Sequence, residues 1–131
     1  MRTIKFRAWD KERIRMLTGN NGLYMYLCCG VIGWNFGYDY NDIGSYDKQD
    51  RFILMQFTGL LDKNGKEIYE GDIIDLFQFY RPHNFKRYQS IIFINGAFIA
   101  EKSSFGWEGE NLIDPTACSV IGNIYENPEL L

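Results

Sequence analysis

The chain has 131 residues and a net charge of −3, and 46% of it is apolar and 24% charged, a balance that lets one soluble domain or two small halves bury a core without disulfides or metal. No apolar run approaches the roughly 20 residues of a membrane-spanning helix, and MRTIKFRAWD lacks the apolar core of a secretory signal. The unusual quantity is the aromatic content, 17%, with 10 Phe, 9 Tyr and 3 Trp, side chains that suit half-buried strands and contact surfaces.

From the amino terminus, IKFRAW alternates Ile4, Phe6 and Ala8 with Lys5, Arg7 and Trp9, which predicts a half-buried strand. Asp10–Glu12 turn the chain, and Arg13–Leu17 alternates again, so the two runs form a hairpin. Its expected inner face is Ile4, Phe6, Ala8, Ile14 and Met16. After the turn signal TGNNG comes an apolar run, Leu23 to Ile32. Residues 33–50, GWNFGYDYNDIGSYDKQD, have no sustained period and read as an aromatic connector between halves.

Phe52–Phe57 is a nearly continuous apolar strand. Asn64-Gly65 is a hairpin signal, because a tight turn needs the positive φ that Gly adopts freely and Asn tolerates. Gly71-Asp72 marks the next corner, where Asp bonds nearby backbone N–H groups. A strand then runs from Ile73 to Tyr80. Tyr88–Ile94 and Ala97–Ala100 flank a second Asn-Gly pair, Asn95-Gly96, and Val120–Tyr125 closes the chain, with Gly122 marking a bulge. The predicted fold is mainly β: a small antiparallel, hairpin-rich part over 1–57 and an SH3-like β-barrel part over 58–131, or one continuous domain. The barrel would use Asp72–Tyr80, Tyr88–Ile94, Ala97–Glu101, a strand near Trp107–Ile113, and Val120–Tyr125. Small barrels serve many functions, so this is a statement about fold.

Chemistry is largely excluded. TGLLDKNGKEIYEGDIIDL concentrates Asp62, Asn64, Glu67, Glu70, Asp72 and Asp75 around two glycines. Counted as a calcium loop from Asp62, it places Lys66 fifth, Glu67 sixth and Ile73 twelfth, where an oxygen ligand, Gly and Glu are needed. No GxxxxGK[ST] or GxGxxG cradles phosphate. Cys28, Cys29 and Cys118 with the single His83 lack zinc spacing, and read as free thiols in a reducing compartment. A thiol nucleophile would need His83 beside it and a third orienting group. Closely spaced carboxylates on a turn are ordinarily solvated. The expectation is no enzyme, no cofactor and no metal.

Two binding readings remain. Trp34, Phe36, Tyr38, Tyr40 and Tyr46 lie in the polar connector, where core packing does not obviously require them, and aromatics are what interfaces favour. They form the first candidate surface, for self-association. The second is nucleic acid. Residues 1–17 hold six basic against two acidic residues, a net +4, leaving eight against fifteen, −7, elsewhere. Lys5, Arg7, Arg13 and Arg15 are expected to share the outer hairpin face with Trp9, a cationic surface able to hold phosphates and stack a base. The acidic remainder disfavours it.

MRTIKFRAWD, LMQFTGLLDKNGKEIYEGDII and VIGNIYENPELL, in that order, resemble the YopX family, small proteins of bacteriophages and prophages with no established biochemical activity. The resemblance implies a phage or prophage origin, action in the bacterial host cytoplasm with an unknown phage or host partner, and a mainly β fold that assembles into homo-oligomers. It carries no catalytic residues. Leu23–Asp50 and Phe77–Cys118 lie outside the matching phrases.

Overall fold

The computed structural model describes residues 3–18, 23–28, 31–36, 51–76, 87–101 and 113–131, with the backbone alone for 23–28 and 31–36. Its contacts divide the chain into two compact units, Lys5–Gln56 and Phe57–Leu131 with Met1–Ile4. The chain is mainly β, with ten strands and one short 3₁₀ turn, Pro128–Leu130, among the described residues.

In the first unit β1 (Phe6–Asp10) pairs antiparallel with β2 (Arg15–Leu17) on one side and with the start of β5 (Phe52–Leu61) on the other. β1 buries Ala8, Trp9 and Asp10 in succession, so both of its faces are covered there, although only one reads as apolar. Ala8 and Leu17 sit opposite one another and pack with Phe52. β3 (Leu23–Cys28) and β4 (Val31–Phe36) form a separate ladder, from Leu23↔Phe36 to Cys28↔Val31. Residues 33–36, expected in the connector, are therefore strand. The paired run LYMYLC imposes a register that the local composition of GWNF does not disclose.

The first hairpin departs from its expected pattern in another way. β2 begins at Arg15, and Lys11–Ile14 is turn. Ile14 has φ +52, and Ile4 and Ile14, expected inside, are 63% and 69% exposed. Ile4 precedes β1, and Ile14 belongs to the turn, where strand alternation does not apply.

In the second unit the rest of β5 pairs with β6 (Glu67–Tyr69), with a register shift between Phe57 and Leu61 where Gly59 takes φ +90. The main sheet has the order β10-β7-β8-β9, built from β7 (Asp72–Leu76), β8 (Tyr88–Ile94), β9 (Ala97–Ala100) and β10 (Cys118–Asn123). The expected bulge appears as a register shift between Val120 and Gly122. Ile68, Ile74, Ile91, Ala100, Ile113 and Cys118 form the core, with Leu60, Leu76, Phe98 and Val120 against it. Each large aliphatic there contributes about 1.5–3 kcal/mol on burial. Four of the five expected barrel strands are present in antiparallel ladders. The fifth, near Trp107–Ile113, lies outside the described residues except for the buried Ile113, as do residues 77–80 of the expected Asp72–Tyr80 strand.

Candidate interaction surfaces

The acid- and glycine-rich stretch is a fastening. Asp62 is 5% exposed. Its Oδ1 accepts the Asn64 and Lys66 N–H groups at 2.8 and 2.9 Å, and its Oδ2 accepts the Val120 N–H at 2.9 Å. One carboxylate therefore closes the β5–β6 turn and holds it to β10, helped by the Lys63 N–H donating to the Cys118 carbonyl at 3.1 Å. Burial opposes its ionisation, but the three amide donors and Lys66 outweigh that and hold its pKa below the usual carboxylate range. The turn runs from Asp62 to Lys66, and Gly65, at φ +80, is its left-handed residue. Asn64 is not left-handed.

Asp72 is 1% exposed and accepts the Tyr69 N–H at 2.8 Å. Gly71, at φ +78, donates its N–H to Ile91 and accepts from Ile124. Glu67 accepts the Tyr69 hydroxyl at 2.8 Å. Asp62 has the turn role expected of the acids in this stretch, whereas the expectation of solvated carboxylates is corrected at Asp72; both are buried. Folding brings strands over them, and backbone donors replace the water. Asn95 (φ +51) and Gly96 (φ +79) are both left-handed between Ile94↔Ala97, the two-residue hairpin turn that Asn-Gly favours.

Cys118 is fully buried, and its thiol is pushed up to about 11, first by burial and then by the charges of Asp62 and Asp114. That makes a poor nucleophile at neutral pH. His83 lies outside the described residues. Among the described residues no group of three or more His, Cys, Asp or Glu side chains could hold a metal ion, and no helix is long and apolar enough to cross a membrane.

The proposed cationic face does not form. Successive strand residues point to opposite sides. With Trp9↔Met16 and Asp10↔Arg15 as partners, Arg7 shares a side with Trp9, whereas Arg15 shares the other with Asp10. Trp9 is 6% exposed and is not available to stack on a base. Arg7 is half-buried and donates to the Met55 sulfur at 3.7 Å. Lys5, Arg13 and Arg15 are exposed. Of the connector aromatics, Trp34 and Phe36 lie on β4, and Tyr38, Tyr40 and Tyr46 lie outside the described residues.

Asp10 reads from the sequence as a turn residue, and nothing there singles out Arg51 as its partner. Arg51 Nε and Nη2 both donate to the Asp10 carboxylate at 2.8 Å, Nη1 reaches Glu12 at 3.1 Å, and the guanidinium lies 4.8 Å from the Phe52 ring centre. Asp10 is fully buried and Arg51 8% exposed. Burial works against the Asp10 charge, but Arg51 and the Arg13 and Glu12 N–H groups lower its pKa. These two residues are 41 positions apart, and no local signal joins them.

Sequence reasoning also passed over the β8–β9 hairpin as a surface. One side presents Ile91, Phe93, Phe98 and Ala100, and the other Ile92, Ile94, Ala97 and Ile99. The first side joins the core through Ile91, Ala100 and Phe98. Towards the turn Phe93 is 51% exposed, its ring 4.9 Å from that of Phe98, and Ile94 on the opposite side is 48% exposed. The signal was present in IIFINGAFIA, where alternation is absent from both strands. A hairpin apolar on both sides must cover both or expose one.

The YopX family model (described as YopX protein) matches residues 5–131. The chain belongs to the YopX family. Two solved structures share its fold. Protein EF1440 from Enterococcus faecalis is 28% identical with a TM-score of 0.60, the match covering 100% of this chain and 99% of that one. Protein yopX from Bacillus subtilis is 23% identical with a TM-score of 0.63, covering 100% and 97%. No curated protein matches the chain.

Proposed function

We propose that this YopX-family chain is a non-enzymatic protein-interaction module that self-associates. The observation behind this reading is the β8–β9 hairpin, which is apolar on both sides and leaves Phe93 and Ile94 about half in solvent. Exposed aromatic and aliphatic side chains at the end of one hairpin, one on each side, favour a partner that removes them from water. A second copy supplies the same apolar surface, and two-fold pairing of like patches is the commonest way for chains to meet. The connector aromatics Trp34, Phe36, Tyr38, Tyr40 and Tyr46 extend the proposal as a further contact region. A phage or prophage origin, action in the bacterial cytoplasm, and a phage or host protein as additional partner belong to the same reading.

Light scattering over roughly 5–100 µM, a range suited to standard-size interfaces, tests it. The wild-type mass should exceed that of one chain, and Phe93→Ser with Ile94→Ser should return it towards one chain without loss of folded signal. A wild-type protein that stays monomeric throughout removes the proposal.

A further inference from the structure

The turn after β1 carries a strained, exposed residue at its tip. Ile14 is β-branched, 69% exposed, and in the left-handed backbone region at φ +52. Gly, Asn or Asp would occupy that conformation at lower cost, since a Cβ branch there crowds the carbonyl. Solvent gives an isoleucine no compensation. The turn is nonetheless firmly held. Asp10 Oδ1 accepts the Glu12 and Arg13 N–H groups at 3.1 and 3.2 Å, and the Arg51 carbonyl accepts the Lys11 N–H at 3.0 Å. The buried Arg51–Asp10 pair thus fixes a strained tip from beneath, and Arg51 also draws Glu12 back to itself at 3.1 Å. What the tip shows to solvent is Ile14 among the exposed cations Lys11, Arg13 and Arg15.

We infer that this turn is a docking element, Ile14 its apolar anchor and the three cations its rim, and that its partner is the acidic carboxy-terminal segment of a second copy. The inference rests on the self-association reading above and names a contact within it. Charge selects the partner. The chain carries +4 in residues 1–17 and −7 in the remainder, so the complement to the turn lies in the chain itself. Within the second unit the exposed apolar side chains are not equivalent. Ile4 adjoins the exposed Lys5, Phe93 and Ile94 are followed by an uncharged turn, and Leu61 precedes the exposed Lys63 and Lys66. Ile121 and Leu131, 37% and 44% exposed, share their stretch with the exposed Glu126 and Glu129. Asn127 folds back against Gly122, with its Oδ1 accepting the Asn123 N–H, and Glu126 accepts Asn123 Nδ2 at 2.6 Å. The segment is therefore an ordered target. Unlike surfaces meeting head to tail form rings or open chains, so assembly should grow with concentration and weaken with salt. A phosphate backbone offers the charge but no apolar seat for Ile14, and the net-acidic chain repels it.

The test mixes unlabelled and ¹⁵N-labelled full-length chains, joins Lys to carboxylate with a zero-length carbodiimide, and maps the products by mass spectrometry, alongside light scattering. The expected products are mixed-isotope links from Lys11 to Glu126 or Glu129, lost at high salt. Ile14→Gly should weaken association about tenfold or more, the factor expected for loss of one buried aliphatic anchor. Its melting temperature should be unchanged or higher, because glycine relieves the left-handed strain. An assembly unaltered by Ile14→Gly and by Arg13→Glu with Arg15→Glu overturns this contact and leaves the β8–β9 proposal standing. A wild-type monomer overturns both. Retention of DNA or RNA that is lost in Ile14→Gly, without intermolecular links, overturns it by assigning the turn to nucleic acid.

Discussion

Replacing Asp62 by Asn probes the joint on which the second unit is built. Asn is nearly isosteric but presents one oxygen and one NH₂. With the oxygen kept towards Asn64 and Lys66, the NH₂ faces the Val120 N–H, donor against donor. One charge-assisted bond is lost and one buried donor is left unsatisfied, about 2–3 kcal/mol. Asp62→Ala removes all three acceptor contacts and should cost about 4 kcal/mol or more. With a urea m-value of about 1.5 kcal/mol/M, the Asn variant should unfold roughly 1.5 M earlier at pH 7. The pH dependence has a definite sign. The folded pKa of Asp62 is lowered, so the carboxylate's contribution is complete above the unfolded value of about 3.9 and drains away as pH falls through the folded one. The gap between wild type and Asp62→Asn should therefore close on acidification. Asp10 is also lowered, but it titrates in both proteins and cancels in the difference. Urea titrations followed by tryptophan fluorescence from pH 7 to pH 2 measure the gap. A gap that is absent at pH 7, or that stays constant across the series, would refute the three-donor account.

Arg51→Met, which leaves the Asp10 charge buried and without its bidentate partner, should destabilise the first unit by about 3–5 kcal/mol; thermal melts should show the loss, and Asp10→Asn with Arg51→Met should recover part of it. Gly71→Val forces a β-branched residue to φ +78 and should cost about 1 kcal/mol or more, read as a lower melting temperature. Gly122→Ala places a Cβ 2.4 Å from Asn127 Oδ1. It should push the Asn127 side chain aside and break its bond to the Asn123 N–H, seen as faster amide exchange at Asn123.

Strands and corners were legible in the sequence because they are short-range. Asn95-Gly96 announces its turn through two backbones that tolerate positive φ, and Gly71 marks a corner for the same reason. The Gly122 bulge was also readable. GWNF reads as connector although it is strand, because a strand can be defined by its partner, here β3, more than by its own residues. The candidate surfaces were less legible. Exposure depends on what covers a strand, and IIFINGAFIA looks alike whether both its faces are buried or one meets solvent. The alternation of Arg13–Leu17 points Ile14 inward, but the turn before β2 reverses the parity, so that Leu17 and not Met16 faces the side of Ala8.

By itself the sequence determined that this chain is a hairpin-rich β protein with glycine-set corners, since hydrophobic period and turn chemistry act over a few residues. Only the tertiary structure decided that Trp9 is core, that Asp10 closes on Arg51, and that Asp62 fastens a turn to β10. Those outcomes depend on which distant segments desolvate a side chain and which donors they bring with them. Neither quantity is encoded near the residue it governs.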